Sequence, residues 1–307
     1  MKNKKIIIGC RGSKLALIYA ERAKARILEF CSDYEVKEVD IKKITTDGDV
    51  NQKDRLSEIG GKGLFSKQIE NELLNEKIDI AVHALKDMPS EETEDLLINC
   101  FLERNDPREV LISHNNDLIK DLKPNSIVGT SSFRREFQLK KIRSDLDYKL
   151  IRGNVDTRIK KLNEKLYDAI ILSYAGIQSL KLDKNISQIF STREIIPSVG
   201  QGVVALQCRK NDFEIIKLLD KVNHKLTNIC VVAERQFLKV LEGDCETPVG
   251  AIANLVGDQI NLEAELFSID GKQRFYHKAS KNINYSSELG REVGEILKKE
   301  SNNSYKR

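Results

Sequence analysis

Tryptophan is absent from the 307 residues, and aromatic residues make up only 6% of them. No stretch interleaves aromatic with basic side chains, so a stacking platform for nucleic acid is not expected. The net charge of +4 is also too mild for a general polyanion binder. No apolar run is long enough to span a bilayer. Ile6-Ile7-Ile8 gives way almost at once to Arg11, too short for the apolar part of a secretory signal. A cytoplasmic protein with no membrane partner is the expectation. Cys10, Cys31, Cys100, Cys208, Cys230 and Cys245 form no CxxC pair, and the four histidines are scattered, so no metal site is expected. In a reducing compartment most of these thiols should be buried small hydrophobes. No GxxxxGK[ST] loop occurs, and Gly9-Cys10-Arg11-Gly12 lacks the GxGxxG spacing.

What is present is globular: 40% hydrophobic and 32% charged residues, with length for about two domains. Strand-like runs at Lys5–Ile8, Val36–Ile44, Ile78–Val82, Leu96–Cys100, Val110–Ile112, Ile127–Gly129, Lys149–Ile151, Ala169–Leu172 and Val203–Leu206 recur along the first two thirds. Segments of helical period lie between many of them: Leu15–Leu28, Gly63–Leu74, Arg134–Ile142 and Thr157–Leu166. This alternation predicts α/β units with mostly parallel sheets. Breakers at Asn105–Pro107 and Ile196–Gly202 divide the material. After a helix near Leu226–Leu241 the pattern changes: Ile260, Leu262, Ala264 and Leu266 alternate with polar residues, Asp270-Gly271 supplies a turn, and Arg274–Ala279 returns. With a last helix over Ser287–Lys299, this predicts a small α+β domain.

Three strand-to-helix junctions carry arginines. In Ile127–Arg135, Ser131 or Ser132 is placed to cap a helix whose first turn contains Arg134 and Arg135. Cations there oppose the helix dipole by about 0.3–1 kcal/mol, which a bound carboxylate or phosphate would explain. A solvated helix end is the plain alternative. Arg11-Gly12-Ser13-Lys14 and Arg152–Arg158 repeat the arrangement, the latter with Asp156 as the expected cap. Ligands of open α/β sheets bind where such loops gather. Between Phe133 and Lys165 there are 11 basic and 5 acidic residues, so the rest of the chain is slightly acidic.

Two further segments carry chemistry. Lys86 and Asp87 follow the strand Ile78–Val82 and precede Pro89, which suggests that the strand has ended and both side chains turn into one cleft. An aspartate beside arginines can act as acid or base, or stabilise a cation. A surface ion pair is the ordinary alternative. Cys245 lies in a tight loop between Asp244 and Glu246, which would raise rather than lower a thiol pKa. A permanently modified attachment cysteine escapes that objection.

Taken in order, RGSKLAL, GGKGLFSKQIE, HALKDMP, GTSSFRR, RGNVDTRIKKL, PSVGQGVVALQCR and EGDCETPVGA resemble the hydroxymethylbilane synthase (porphobilinogen deaminase) family, from about Ile6 to the final helix. The resemblance implies an α/β protein with two lobes like type II periplasmic binding proteins and a small C-terminal α+β domain. The expected division is 1–102 with 201–220, then 103–200, then 221–307. It implies a transferase that joins four porphobilinogen molecules head to tail with loss of ammonia, acting as a cytoplasmic monomer. A dipyrromethane cofactor would be attached through Cys245. By the same resemblance Asp87 is catalytic and stabilises the cationic azafulvene left by ammonia. Lys86, Ser13, Ser132, Arg134 and Arg135 contact the cofactor, with Asp87. Arg11, Arg152, Arg158, Lys62 and Phe65 contact substrate. Ser179 stands where the family commonly has another substrate-binding arginine, with Lys181 the possible substitute, and Asp244 replaces a frequent glycine. The rival class is a non-catalytic two-lobed binder of a small polycarboxylate anion.

Overall fold

A computed structural model describes residues 4–34, 36–46, 63, 65–244 and 247–306. In chain order the strands are β1 (Lys4–Arg11), β2 (Val36–Ile44), β3 (Ile80–Ala84), β4 (Leu96–Phe101), β5 (Glu109–Ser113), β6 (Ile127–Gly129), β7 (Asp147–Lys149), β8 (Ala169–Ser173), β9 (Gln188–Ile189), β10 (Val204–Arg209), β11 (Val249–Val256), β12 (Gln259–Phe267) and β13 (Arg274–Asn282). The α-helices are α1 (Lys14–Leu28), α2 (Lys67–Leu74), α3 (Phe133–Ile142), α4 (Val155–Asn163), α5 (Tyr174–Ser179), α6 (Phe213–Val222), α7 (Lys225–Leu241) and α8 (Ser286–Ser301).

The chain divides into two compact units. The first comprises residues 1–104 and 203–229. Its sheet runs β2-β1-β3-β10-β4, with β1 parallel to β2 and β3, and β10 antiparallel to β3 and β4. Ile6, Ile8, Ile80 and Val82 on the strands pack with Tyr19, Ala20, Ala23 and Ile27 of α1 and with Ile215, Leu218, Leu219 and Val222 of α6. Both helices thus bury one face, α6 at i, i+3, i+4 and i+7 spacing and α1 at steps of three and four from Ala20 to Ala23 to Ile27, and each large aliphatic side chain removed from water contributes about 1.5–3 kcal/mol. Ile69 and Leu73 of α2 enter a separate cluster with Ile44, Ile78 and Ala81.

The second unit comprises residues 105–202 and 230–307. Its larger sheet runs β7-β6-β8-β5-β9 with the same directions: β6 is parallel to β7 and β8, and β5 is antiparallel to β8 and β9. The C-terminal part is the antiparallel meander β11-β12-β13 with α8. At Gly290 of α8 a Cβ would lie 2.1 Å from the Ala233 carbonyl oxygen of α7, so only glycine permits that approach.

Several expected boundaries move. The helix expected over Gly63–Leu74 begins only at Lys67, because Gly63 (φ +85°) sits in a turn whose carbonyl accepts the Ser66 and Lys67 amides. The helix expected over Thr157–Leu166 runs Val155–Asn163. It stops because Lys165 is left-handed at φ 61° and the Leu166 amide turns back to the Lys161 carbonyl. Asn154 rather than Asp156 occupies the cap; Asp156 lies inside the first turn, its carboxylate accepting the Thr157 amide. The strand expected at Lys149–Ile151 ends at Lys149, and the one expected at Val203–Leu206 extends from Val204 to Arg209.

Candidate active site

In the first unit, Arg11, Ser13, Phe65, His83, Asp87 and Met88 line a cavity together with Leu15, Ala16, Tyr19, Val82 and Ala84. Three local features build it. β1 ends at Arg11, and Ser13 caps α1 by accepting the Ala16 amide at 3.3 Å. β3 ends at Ala84, and a single 3₁₀ turn, Leu85–Asp87, carries the aspartate round; buried Leu85 anchors it through its amide to the Val203 carbonyl. Phe65 precedes α2, and its ring lies 4.1 Å from the Arg11 guanidinium carbon, a cation–π contact that holds the arginine over the ring face. Arg11 Nη1 and Asp87 Oδ2 are 3.9 Å apart, with the aspartate side chain still 33% exposed. Opposite charges therefore share one cavity without closing on each other. Lys86 lies in the same turn, half-buried, outside the residues that line the cavity.

In the second unit the arginine pair behaves differently. Ser132 caps α3, accepting the Arg135 amide, as one of the two expected serines. Arg134 and Arg135 are then buried, at 3% and 7% exposure, and both reach the fully buried Glu109 of β5, at 2.6 and 2.8 Å. Arg134 also donates to the Ile196 carbonyl at 2.8 Å, and Arg135 to the Ile171 carbonyl. Burial pushes the Arg134 guanidinium below its ordinary pKa, while Glu109 acts in the opposite direction. The anion expected at this helix start is thus met in part by the chain's own carboxylate. Two cations still face one anion, and Arg135 Nε is a buried donor without a hydrogen-bond partner among the described residues. Glu109 was not anticipated, although a charged residue heading the apolar run Val110–Ile112 was the available signal.

Arg152 is buried after β7, and its carbonyl accepts from Lys161. Arg158, in the first turn of α4, donates to the Gly153 carbonyl at 2.8 Å. Gly153 has φ +112°, a conformation that a side chain at this turn would strain. Ser179 donates its hydroxyl to the Ala175 carbonyl inside α5, and Lys181 is exposed in the left-handed region. Lys62 and Cys245 lie outside the described residues. Beside the latter, Asp244 and Thr247 bond each other: the Asp244 amide donates to the Thr247 hydroxyl, and the Asp244 carboxylate accepts the Thr247 amide and hydroxyl, at 3.0–3.1 Å. Cys10, Cys31, Cys100, Cys208 and Cys230 are buried. Desolvation pushes Cys10 up to about 11 and Cys208 to about 12, as inert core thiols require.

Residues 6–217 match the family model for porphobilinogen deaminase, dipyromethane cofactor binding domain, and residues 228–299 match the model for the porphobilinogen deaminase C-terminal domain. The chain belongs to the porphobilinogen deaminase family. Within this family, porphobilinogen deaminase of Syntrophomonas wolfei is 43% identical over 290 residues, covering 94% of each chain. That of Bacillus cereus strain B4264 is 45% identical over 274 residues, covering 87% of this chain and 86% of its own. Among solved structures, the probable amino-acid ABC transporter extracellular-binding protein YtmK from Bacillus subtilis aligns with 72% of this porphobilinogen deaminase family chain and 90% of its own, at 18% identity and a TM-score of 0.45.

Proposed function

We propose that this chain joins four porphobilinogen molecules head to tail, releasing ammonia at each step, to give hydroxymethylbilane. The observation that carries the reading is the pairing of Arg11 and Asp87 in one cavity of a chain that matches the family over nearly its whole length. Dipyrromethane, attached through Cys245, is the cofactor. The residues fit a polycarboxylate: two guanidinium groups share one carboxylate, and the Arg135 Nε donor is buried without a hydrogen-bond partner among the described residues. When bound, the cofactor supplies the pyrrole carbon from which the chain grows.

The protein's own residues bind and polarise. Asp87, a carboxylate in a partly enclosed site, hydrogen-bonds pyrrole N–H groups and stabilises the positive charge left on porphobilinogen when ammonia departs. Such fixed charge is worth more here than in water. Lys86, Ser13, Ser132, Arg134 and Arg135 hold the cofactor's side chains. Arg11, Arg152, Arg158, Lys62 and Phe65 receive the acetate and propionate groups of substrate, guanidinium suiting carboxylate by its paired donors. The three-part division 1–102 with 201–220, 103–200 and 221–307, a monomeric state and a cytoplasmic location complete the proposal.

Intact-protein mass spectrometry after expression in a porphobilinogen-producing host tests it. The wild type should carry the dipyrromethane mass and convert porphobilinogen, and Cys245→Ser should carry none. An unmodified wild type without product overturns the reading. Reversible anion binding in that material would establish the two-lobed binder instead.

A further inference from the structure

A chain of buried polar side chains starts at the Asp87 cavity and has no part in the chemistry above. His83 on β3 is 6% exposed, Gln207 on β10 is fully buried, and Glu70 on α2 is 6% exposed. His83 Nε2 and Gln207 Oε1 are 3.0 Å apart, and Gln207 Nε2 donates to Glu70 Oε1 at 2.9 Å. The Ser66 hydroxyl, also buried, reaches Glu70 Oε2 at 3.4 Å. The register explains the first link: Ala205 faces His83 and Gln207 faces Ala81, so His83 and Gln207 are diagonal neighbours on one sheet face.

Donor logic fixes the tautomer. A carboxylate accepts, so the Gln207 amide turns its NH₂ to Glu70 and its oxygen to His83. That oxygen has no proton to give, so His83 Nε2 carries one. The other ring nitrogen, Nδ1, is then the group that His83 can offer to a ligand in the cavity that it lines. The charged groups around the ring are Glu70 from α2, Asp87 from the turn after β3 and Arg11 from β1. Burial moves the imidazole below its ordinary pKa, the largest influence on it, and Gln207 keeps the Glu70 carboxylate out of direct contact. His83 is therefore neutral near pH 7, and Nδ1 keeps its lone pair.

We propose that His83 Nδ1 is a hydrogen-bond acceptor for a pyrrole N–H of the ligand in the Asp87 cavity, its ring held in register by the Gln207–Glu70–Ser66 chain. This assignment rests on the proposed porphobilinogen chemistry. It makes His83 a second acceptor beside Asp87 that adds no charge. One net hydrogen bond of this kind corresponds to about a 3- to 10-fold change in binding.

Substitutions that keep one ring nitrogen or the other separate this role from packing. Asn places an acceptor near the Nδ1 position; Gln places a donor near the Nε2 position. His83→Leu is expected to raise KM for porphobilinogen about 3- to 10-fold with kcat changed less, and His83→Asn should restore KM. Rescue by His83→Gln but not His83→Asn, or an unchanged KM in His83→Leu, overturns the proposal. Long-range ¹H–¹⁵N NMR of the wild-type holoenzyme, assigned by the signals lost in His83→Gln, should show a neutral Nε2–H tautomer at pH 7; an Nδ1–H tautomer or an imidazolium overturns it too. That spectrum needs no turnover, so it stands whether or not the wild type makes product, while a wild type without product refutes the porphobilinogen chemistry itself.

Discussion

The two five-stranded sheets have the same succession of parallel and antiparallel neighbours, yet their strand-to-helix junctions treat positive charge in opposite ways. After β1 of the first sheet, Arg11 lies on an aromatic face with the Asp87 carboxylate 3.9 Å away. After β6 of the second, Arg134 and Arg135 are almost wholly buried against Glu109 at 2.6 and 2.8 Å. The first arrangement sets a guanidinium and a partly exposed carboxylate in one cavity. The second is a preformed, desolvated cluster in which two guanidinium groups share one carboxylate, costly to build and already oriented.

The sharpest way to break this contrast is Glu109→Ala. Removing the shared counter-charge of two buried guanidinium ions is expected to cost about 3–5 kcal/mol in urea unfolding. Arg11→Leu, by contrast, should cost less than Glu109→Ala, because its guanidinium faces a carboxylate that is 33% exposed. Equal losses in the two variants would erase the distinction. Next in size, Asp87→Asn is expected to lower turnover of porphobilinogen at least ~100-fold while leaving the unfolding midpoint near that of wild type; near-normal turnover would remove Asp87 from the chemistry.

Two smaller effects belong to the C-terminal part of the second unit. A Cβ at Gly250 would stand 2.7 Å from the Ile196 carbonyl oxygen and 3.1 Å from that of Pro197. Gly250→Ala should therefore cost about 1–3 kcal/mol, measured by thermal unfolding; no loss would mean that the Ile196–Pro197 backbone yields easily. The smallest effect is expected at Glu242, an exposed carboxylate whose hydrogen bonds with Lys298 and Lys306, at 2.8 and 2.9 Å, hold its pKa near 2 rather than the ordinary 4.5. A depressed folded-state value contributes stability above the ordinary pKa and loses it as pH falls toward 2. Glu242→Gln should lower stability slightly at pH 7, flatten the curve between pH 4.5 and 2, and approach the wild type as the pH falls toward 2.

Legibility in the sequence tracked how local each signal is. Ser132 was readable as one of two capping serines because a cap depends on a few adjacent residues, although the cap expected at Asp156 falls at Asn154. Gly63 and Lys165 moved helix ends because left-handed backbone is set by the turn around it. β11 was expected after the Cys245 loop but without bounds: Gly250, Ala251 and Ala253 give it weak strand character, and its eight-residue pairing with β12 supplies what propensity does not. α6 went unread, although Asp212 caps it through the Ile215 amide and Ile215, Leu218, Leu219 and Val222 form its buried stripe. The cavity residues Arg11 and Asp87 stood out as charges next to strand ends. Glu109 and the His83–Gln207–Glu70 chain did not, because their partners come from distant segments and a buried polar group is recognisable only beside the partner that satisfies it.

Strand β10 occupies the fourth place in the first sheet, between β3 and β4, although residues 105–202 of the second unit separate it from β4 in the chain. During synthesis, therefore, β3 and β4 emerge with an open gap between them that closes only after Arg209 is made. The second α/β sheet has all five of its strands between Glu109 and Ile189 and can pair them first. Birth order and assembly order are thus reversed for the two sheets: the half that begins the polypeptide waits for the half that follows it, and until then exposes two strand edges that a chaperone or a second nascent chain could reach.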